Sequence, residues 1–201
     1  MVVNAARVSY GKNKTEFDDK DEKLIKYLVE HEHTSVFRHC QLQFRITCPL
    51  YIERQLFKHQ VGLSANSISG RYVDFSDSYT LIPDNLWRKQ SKSSKQGSDG
   101  YVDNQQRCKE IQDSVVEHCK KAYDELLSLG VAKEQARTIL PLNLNTTFIW
   151  TGSLLAFIHL FNLRLKPDAQ EETRNLAHLM LDCIKSIPDN PFKHSLAAFG
   201  Y

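Results

Sequence analysis

Cationic, hydroxyl and glycine residues crowd into one short stretch of the sequence, from Arg54 to Arg71. Arg54 and Lys58 are four residues apart in a segment with helical periodicity, and Ser69, Gly70 and Arg71 follow in a glycine- and serine-rich segment. Convergent cations, hydroxyls and main-chain N–H groups are the parts that proteins use to hold phosphate. Glycine also lets the main chain approach a ligand closely. We therefore expect a phosphate site here, with a solvated basic face as the alternative.

A second polar group lies where a strongly apolar segment ends and the next predicted helix begins. Its members are Asn162, Arg164, Gln170 and Arg174. A planar guanidinium can grip a phosphate or stabilise negative charge that develops on a ring. Helix caps and surface side chains are the alternative interpretation of the same residues.

Other kinds of site lack their sequence patterns. His31, His33 and His39 do not have the spacing of a closed tetrahedral zinc site, so no metal is expected. The sequence has no P-loop, no GxGxxG segment and no GxSxG nucleophile motif. The formal net charge of +2 is small, so we expect no nucleic-acid partner and no membrane partner. A helical nucleic-acid-binding module built on residues 54–71 stays open as an alternative.

The cysteines and the apolar segments predict the compartment. Five cysteines are scattered through periodic apolar segments without CxxC spacing: Cys40, Cys48, Cys108, Cys119 and Cys183. This pattern is typical of reduced, buried thiols in a cytosolic protein. The first ten residues, MVVNAARVSY, do not have the pattern of a signal peptide, and the most apolar window, 148–161, is too short to span a bilayer. We therefore expect a cytoplasmic protein.

Periodicity places the polar groups on a series of helices and one strand. The segment CQLQFRIT alternates apolar and polar residues and predicts a half-buried strand. The first predicted helices are 18–31, one that begins near Pro49, and one from Arg107 to Gly130 with a short helix after it. An apolar helix is then predicted over LPLNLNTTFIWTGSLLAFIHLFNLR, and a last helix at about 167–186. The segment SGRYVDF is predicted to be extended.

These elements predict an α+β fold with a small antiparallel sheet and several long helices. We expect a single domain, residues 1–201, because neither half looks self-sufficient. Residues 90–106 are polar and aperiodic and are predicted to form a surface loop within it. The apolar helix is expected in the middle of a helix bundle or at a subunit interface.

Eight sequence blocks occur in the order found in one protein family. They are AARVSY, HEHTSVFRH, ITCPLYIERQLFKH, NSISGRY, LPLNLNT, WTGSL, NLRL and AQEETR. Each block is modest by itself, but eight in order are specific, and they extend from Ala5 to about Arg174. On these blocks the chain resembles the flavin-dependent thymidylate synthases. The polar stretch from Arg54 to Arg71 coincides with the signature of that family.

The resemblance implies an oligomer-forming α+β fold, a homotetramer that holds flavin adenine dinucleotide (FAD) between its subunits. It implies a methyltransferase that converts dUMP to dTMP, with methylenetetrahydrofolate as the one-carbon donor and NADPH as the reductant. A flavin can carry the hydride and mediate methylene transfer. The protein then supplies binding, orientation and charge, and no cysteine thiolate is required.

The resemblance also implies the site residues, position by position. The positions that match dUMP contacts are Gln55, Leu56, Phe57, Lys58, Ser67, Ile68, Ser69, Gly70, Arg71 and Arg174. The positions that match FAD contacts are Ser35, Lys58, His59, Gln60, Ser67, Asn162 and Arg164. Arg71 is the expected partner of the phosphate. Arg174 is the expected catalytic residue, because its position matches the residue that favours ionisation of the uracil ring.

The chain departs from the family pattern within the signature. The usual Arg-His-Arg is Lys58-His59-Gln60 here, and one residue is inserted before the asparagine that follows. Ser67 stands where glutamate is common, and Thr147 replaces a residue that is often charged. Because three charges expected near the site are missing, the alternative is a non-catalytic nucleotide- or flavin-binding homologue of the same fold.

Overall fold

The computed structural model describes residues 1–73, 78–93 and 97–201. The helices in these residues are α1 (Val2–Arg7), α2 (Asp19–Glu30), α3 (Leu50–Leu56), α4 (Gln105–Ser128), α5 (Lys133–Ala136), α6 (Leu154–Arg164), α7 (Glu171–Lys185) and α8 (Lys193–Ala198). The strands are β1 (Gln41–Pro49), β2 (Leu63–Ser67), β3 (Arg88–Gln90), β4 (Ser98–Tyr101) and β5 (Asn145–Ser153). The predicted α+β class is confirmed. Across these described ranges, no helix is long and apolar enough to cross a membrane.

The strands form two small sheets. In the first sheet the order is β1-β5-β2. β1 and β5 are antiparallel, since the Leu154 N–H donates to the Cys40 carbonyl at 2.8 Å and the Leu50 N–H donates to the Leu144 carbonyl at 2.9 Å. β5 and β2 are antiparallel too, since the Ser153 N–H donates to the Gly62 carbonyl and the Ile68 N–H donates to the Thr147 carbonyl. In the second sheet β3 pairs with β4, also antiparallel. This ribbon brackets the first part of the predicted loop at 90–106, of which residues 94–96 lie outside the described ranges.

Side-chain caps explain where three helices begin. Asp18 and Asp21 exchange hydrogen bonds with each other's main-chain N–H groups, and this capping box starts α2. The Asn104 side chain caps α4. The Ser153 hydroxyl caps α6, so a helix starts directly after β5.

The chain divides into two compact units, each made from separate pieces of sequence. The first unit comprises Met1–Phe44, His59–Ala65 and Trp150–Tyr201. The second unit comprises Arg45–Lys58 and Asn66–Ile149. The expectation of a single domain over residues 1–201 stays a prediction.

The core of the first unit centres on α6. Residues 154–161 are buried except His159, as expected for a helix that is apolar on nearly every face. Phe157 is fully buried and packs edge-to-face against Phe44 and Trp150, at ring-centroid distances of 5.0 and 5.7 Å. Since the helix is enclosed in this way, it carries the polar residues at its C-terminal end on a rigid support.

The core of the second unit holds α3 and the segment after β2 in place. Leu56 is fully buried, and the Phe57 ring packs edge-to-face against Phe148 at 5.0 Å. The Ile68 N–H donates to the Thr147 carbonyl at 2.8 Å. These contacts position most of the residues that were predicted to bind dUMP.

The first part of the predicted apolar helix is a strand, β5. The side chains of Thr146, Phe148 and Trp150 are buried, whereas Ile149 between them is exposed. A burial period of two is that of a strand, and threonine and isoleucine favour strands. The helical prediction was therefore wrong up to Ser153 and is confirmed for the helix that follows.

The predicted extension of SGRYVDF is also wrong where the structure describes it. The N–H groups of Tyr72 and Val73 both donate to the Ser69 carbonyl, at 3.0 and 3.1 Å, so the chain turns here. The last two residues of this segment lie outside the described ranges. The extended segment comes earlier, as β2, which is one of the two edge strands of the three-stranded sheet.

The five cysteines are free thiols that differ in burial. Cys40 and Cys48 are buried, Cys108 and Cys119 are partly buried, and Cys183 is exposed on α7. The prediction of buried thiols is therefore confirmed for two residues and wrong for Cys183, because the buried side chains of α7 lie on its other face.

Candidate functional site

Four residues that were predicted to contact dUMP lie at the C-terminal end of α3, in the second unit. The side chain of Leu56 is fully buried, and that of Phe57 packs on Phe148. The Leu56 side chain thus belongs to the core, whereas Phe57 is only partly buried, and the contact of both residues with dUMP stays a prediction. Gln55 is partly buried and Lys58 is exposed.

The five-residue loop from Ser67 to Arg71 begins at the last residue of β2 and lies in the same unit. The Ser69 hydroxyl accepts a hydrogen bond from the Arg71 N–H at 3.3 Å, which stabilises the turn. The Arg71 guanidinium donates to the Tyr72 hydroxyl at 3.1 Å and lies over that ring, 5.2 Å from its centroid. Arg71 is therefore held at the surface, beside a tyrosine that is 74% exposed.

A cleft of about 380 Å³ in the second unit is lined by three residues of this loop, Ser67, Ile68 and Gly70. Its volume lies in the range of roughly 300–1,000 Å³ that is typical of small-ligand sites. Arg137 and Thr138 line the same cleft. The cleft therefore combines a cation, hydroxyl groups and a buried glycine, which are the parts that a phosphate site needs.

Glu53 brings a carboxylate from α3 to this cleft. The Ser67 hydroxyl donates to its Oε1 at 3.0 Å. Burial raises the pKa of Glu53, and the Ser67 hydrogen bond and the nearby Arg54 charge oppose that rise. The cleft thus contains a pair of hydrogen-bond acceptors as well as a cation.

In the first unit, Arg164 contacts the signature histidine. The Arg164 Nε donates to His59 Nε2 at 2.9 Å. Because Nε2 accepts this bond, the ring carries its proton on Nδ1. Burial lowers the pKa of His59, and the neighbouring Arg164 charge lowers it further. The pair therefore consists of a neutral imidazole and a charged guanidinium.

The other residues that were predicted to contact FAD are divided between the units. Asn162 lies on α6, and its Oδ1 accepts a hydrogen bond from the Tyr201 hydroxyl at 2.5 Å. Ser35 and Gln60 are exposed, also in the first unit. Lys58 and Ser67 belong to the second unit.

Arg174 lies in the first turn of α7, in the first unit. Its Nη1 donates to the carbonyls of Pro167 and Ala169, at 2.7 and 3.2 Å. These bonds hold the guanidinium against the segment between α6 and α7. Its catalytic role stays a prediction.

Three charged residues share the cleft with Ser67, namely Glu53, Glu134 and Arg137, and sequence reasoning did not single out any of them. Glu53 lies inside one quoted block, and Arg137 lies just before another, LPLNLNT. A charged residue within or beside a recognised block was the available signal. Only the fold brings the two side chains to one cleft, because many residues separate them in the sequence.

Comparisons with known proteins identify the family of the chain. The family model described as "Thymidylate synthase complementing protein" matches residues 1–188. The flavin-dependent thymidylate synthase of Thermus thermophilus is 39% identical over 184 residues, which are 92% of this chain and 66% of that protein. The flavin-dependent thymidylate synthase of Thermosipho africanus is 39% identical over 177 residues, 87% of this chain and 76% of that protein. This chain thus spans slightly less than two thirds of the Thermus relative.

A solved structure has the same fold. It is the crystal structure of the UMP/dUMP methylase PolB from Streptomyces cacaoi bound with 5-Br dUMP. The TM-score is 0.85 at 27% sequence identity, over 98% of this chain and 89% of PolB. The sequence blocks, the family model and the relatives all agree, and the chain therefore belongs to the family of flavin-dependent thymidylate synthases.

Proposed function

We propose that this protein is a thymidylate synthase that converts dUMP, methylenetetrahydrofolate, NADPH and a proton into dTMP, tetrahydrofolate and NADP⁺. Membership of the family supports the reaction. The observation that carries the substrate is the cleft of the second unit, where Ser67, Ile68 and Gly70 of the predicted dUMP loop meet Arg137. PolB, a UMP/dUMP methylase bound to 5-Br dUMP, supports a pyrimidine nucleotide as the occupant.

Two arginines of the second unit are proposed partners of the dUMP phosphate. Arg71 is the candidate from the sequence, and its guanidinium is oriented by Tyr72. Arg137 is the candidate that the structure adds, because it lines the cleft beside Thr138. A planar guanidinium can bind two phosphate oxygens at once, so either residue suits the role.

FAD is proposed to be held by Ser35, Lys58, His59, Gln60, Ser67, Asn162 and Arg164. The donor set fits an anionic dinucleotide, since Arg164 and Lys58 are cations and His59 keeps the Arg164 guanidinium in one orientation. The amide and hydroxyl groups suit the polar edge of a flavin ring. When bound, FAD supplies the capacity for hydride transfer and one-carbon transfer.

The contribution of the chain itself to the chemistry is binding and charge. Arg174 is proposed to stabilise negative charge on the pyrimidine ring, and its bonds to two main-chain carbonyls hold the guanidinium ready for that task. No cysteine is proposed as a nucleophile. Burial raises the pKa of Cys40 and raises that of Cys48 to about 12, so neither is a thiolate near neutral pH.

The protein is further proposed to act as a homotetramer in the cytoplasm, with FAD between subunits. The exposed face of α4 supports self-association, because Ile111 and Val115, one turn apart, are 50% and 49% exposed. Two such apolar side chains on one helix face gain stability when another surface covers them.

A flavin titration followed by a turnover assay tests the proposed function. The visible absorption spectrum of the purified protein is recorded as FAD is added, before and after dUMP. We expect bound flavin whose spectrum shifts on addition of dUMP. We also expect dTMP to form when methylenetetrahydrofolate and NADPH are supplied, and not when either is omitted.

Two outcomes would contradict the proposal in different ways. Flavin and dUMP binding without any dTMP would favour the non-catalytic homologue, which is motivated by the missing charges at Gln60, Ser67 and Thr147. Binding of neither ligand would reject the assigned site as a whole. Retention of the protein on DNA, lost with added salt, would favour a nucleic-acid-binding module instead.

A further inference from the structure

The carboxylate of Glu53 is placed where it meets a ligand of the cleft. Glu53 is half-buried on α3 and lines the cleft together with Ser67 and Gly70. A half-buried carboxylate is unfavourable unless its oxygens accept hydrogen bonds. The Ser67 hydroxyl supplies one such bond, to Oε1.

The direction of this hydrogen bond decides what the pair can offer to a ligand. Since the Ser67 hydroxyl gives its proton to Glu53, the Ser67 oxygen faces other groups with lone pairs only. The second carboxylate oxygen of Glu53 is also an acceptor. Together they form an acceptor pair that attracts O–H and N–H donors and repels phosphate oxygens.

Arg137 gives the same cleft the opposite preference. Its guanidinium is a donor-only group, and its Nε donates to the carbonyl of Glu134 on α5 at 3.4 Å. A nucleotide has an anionic end and a nucleoside end with O–H and N–H donors. The cleft also contains the Glu134 carboxylate, so a phosphate is expected to bind directly at Arg137. A cleft with a cation at one position and the Glu53–Ser67 acceptor pair at another can orient a nucleotide end to end.

We infer that Glu53 is a positioning and specificity residue for the nucleotide. Together with Ser67 it accepts hydrogen bonds from the O–H or N–H groups of the nucleoside, while the phosphate binds at the cationic side of the cleft. This inference rests on the proposed function, because it takes dUMP as the occupant of the cleft. The raised pKa of Glu53 supports it, since a half-buried acceptor that awaits a donor is less well solvated than one at the surface.

The test compares the affinities of dUMP and inorganic phosphate for the flavin-loaded protein. Glu53→Gln is expected to weaken dUMP binding by about tenfold, the effect of losing one charge-assisted hydrogen bond. Phosphate binding is expected to stay equal or to tighten, because a negative charge leaves the cleft. Glu125→Gln, at an exposed position on α4, is the matched control and is expected to change neither affinity.

Two further probes identify the donor and the pair. An analogue of dUMP without its 3′-hydroxyl, and one methylated at N3, each lack one candidate donor. The analogue that lacks the donor used is expected to bind wild type and Glu53→Gln equally. The exchange variant E53S/S67E, which moves the carboxylate to β2, is expected to regain affinity for dUMP to within about threefold of wild type.

Three results would overturn the inference. The first is that Glu53→Gln binds dUMP as tightly as wild type. The second is that Glu53→Gln loses affinity for dUMP and for phosphate together, as a protein with a damaged fold does. The third is that the folded exchange variant E53S/S67E binds dUMP no more tightly than Glu53→Gln does. Failure of the proposed function looks different, because the wild-type protein itself would then bind no dUMP, and the inference would fall with it.

Discussion

At the scale of single residues, two arginines of the first unit divide the roles that a guanidinium can take. Arg164 donates to the signature histidine, His59, whereas Arg174 donates to the carbonyls of Pro167 and Ala169. The first arrangement suits contact with a cofactor. The second suits a cation held rigidly for electrostatic stabilisation.

Replacement of each arginine by alanine separates these roles. We expect Arg174→Ala to lower dTMP formation by about two orders of magnitude while FAD still binds. We expect Arg164→Ala to weaken FAD binding by about tenfold, through loss of a charge-assisted contact. Turnover and flavin titration of both variants provide the measurement, with Lys23→Ala, at an exposed position on α2, as the control.

The reverse result would move the catalytic role to Arg164. If Arg174→Ala kept normal turnover, its hydrogen bonds to the main chain would be its whole contribution. Thermal unfolding of both variants shows whether either change acts through stability instead.

Asp21 is a buried carboxylate that anchors the start of α2. It forms ion pairs with Arg7 and Lys14 and accepts the Asp18 N–H. Burial acts to raise the pKa of Asp21, but hydrogen bonds from Lys14, Asp18 and Arg7 outweigh it and lower the pKa to about 2, from an ordinary 3.8. Its ionised form therefore stabilises the folded state.

This shift predicts how stability depends on pH. A depressed pKa contributes stability that is present above pH 4 and is lost as the pH falls from about 4 to about 2. At neutral pH, Asp21→Asn is expected to lower Tm by roughly 5 °C, because Arg7 and Lys14 lose a charged partner. The difference from wild type should shrink across the same acid range.

Thermal unfolding at several pH values checks this prediction, and Asp19→Asn, an exposed residue of the same helix turn, is the control. A difference that stays constant from pH 7 to pH 2 would show that the ionised carboxylate is not what stabilises α2.

At the scale of elements, Gly152 sets how closely β5 approaches the start of β2. A Cβ at this position would lie 2.4 Å from Leu63 Cδ2 and 2.6 Å from the Gly62 carbonyl oxygen. The main-chain oxygen cannot move away without breaking the bond that it accepts from the Ser153 N–H at 3.3 Å. Only glycine fits without displacement of the edge strand.

Gly152→Ala is therefore expected to reduce the free energy of unfolding by about 2 kcal/mol, as overpacking of a tight contact does. Gly130→Ala is the control, because a Cβ at Gly130 would meet no atom within 4 Å although its φ is +84°. Gly130→Ala should lower the free energy of unfolding by about 1 kcal/mol or less, from backbone strain alone. Equal losses in urea unfolding would mean that the close approach is not constrained.

The comparison of β5 with β1 explains which elements were predictable. The alternation in CQLQFRIT is apolar against polar, so the sequence identifies β1 directly. In β5 the buried set includes Thr146 and the exposed set includes Ile149, so polarity does not follow burial. Because β5 is an apolar segment that continues directly into the buried helix α6, sequence periodicity predicts one long helix over both.

The site was predictable to the extent that it lies in contiguous sequence. The segment from Ser67 to Arg71 was expected to bind the nucleotide, and Ser67, Ile68 and Gly70 of this segment line one cleft, whereas Ser69 and Arg71 are not among its lining residues. Glu53 and Arg137 were not expected, because charge and spacing do not show which distant side chains a fold brings together. The Ser67–Glu53 hydrogen bond also bears on the departure from the family pattern, since a carboxylate lies beside the position where glutamate is common.

At the scale of the whole molecule, the exposed stripe of Ile111 and Val115 on α4 predicts self-association. We expect the protein to elute and to sediment at four times the 23.2-kDa mass of the chain. The double variant I111E/V115E is expected to shift this species to smaller ones, because charges on an apolar contact oppose its burial. FAD binding should weaken in parallel if the cofactor lies between subunits.

Gln106→Glu is the control, as it adds an acid on the other side of the same helix. Analytical ultracentrifugation distinguishes the outcomes when the flavin absorbance is recorded across the sedimenting boundary together with the protein. A tetramer that persists in I111E/V115E would place the interface on another surface, and a wild-type monomer that binds FAD would contradict the assembly altogether.

The uneven burial of the thiols has a practical consequence for spectroscopy. Cys183 is exposed on α7, whereas Cys40 and Cys48 are enclosed, and burial raises the pKa of both enclosed thiols. Maleimide dyes react with accessible thiolates, so Cys183 should take up a fluorophore first under native conditions. Labelled at that position, mixed donor and acceptor chains would report subunit exchange by energy transfer, without any engineered cysteine.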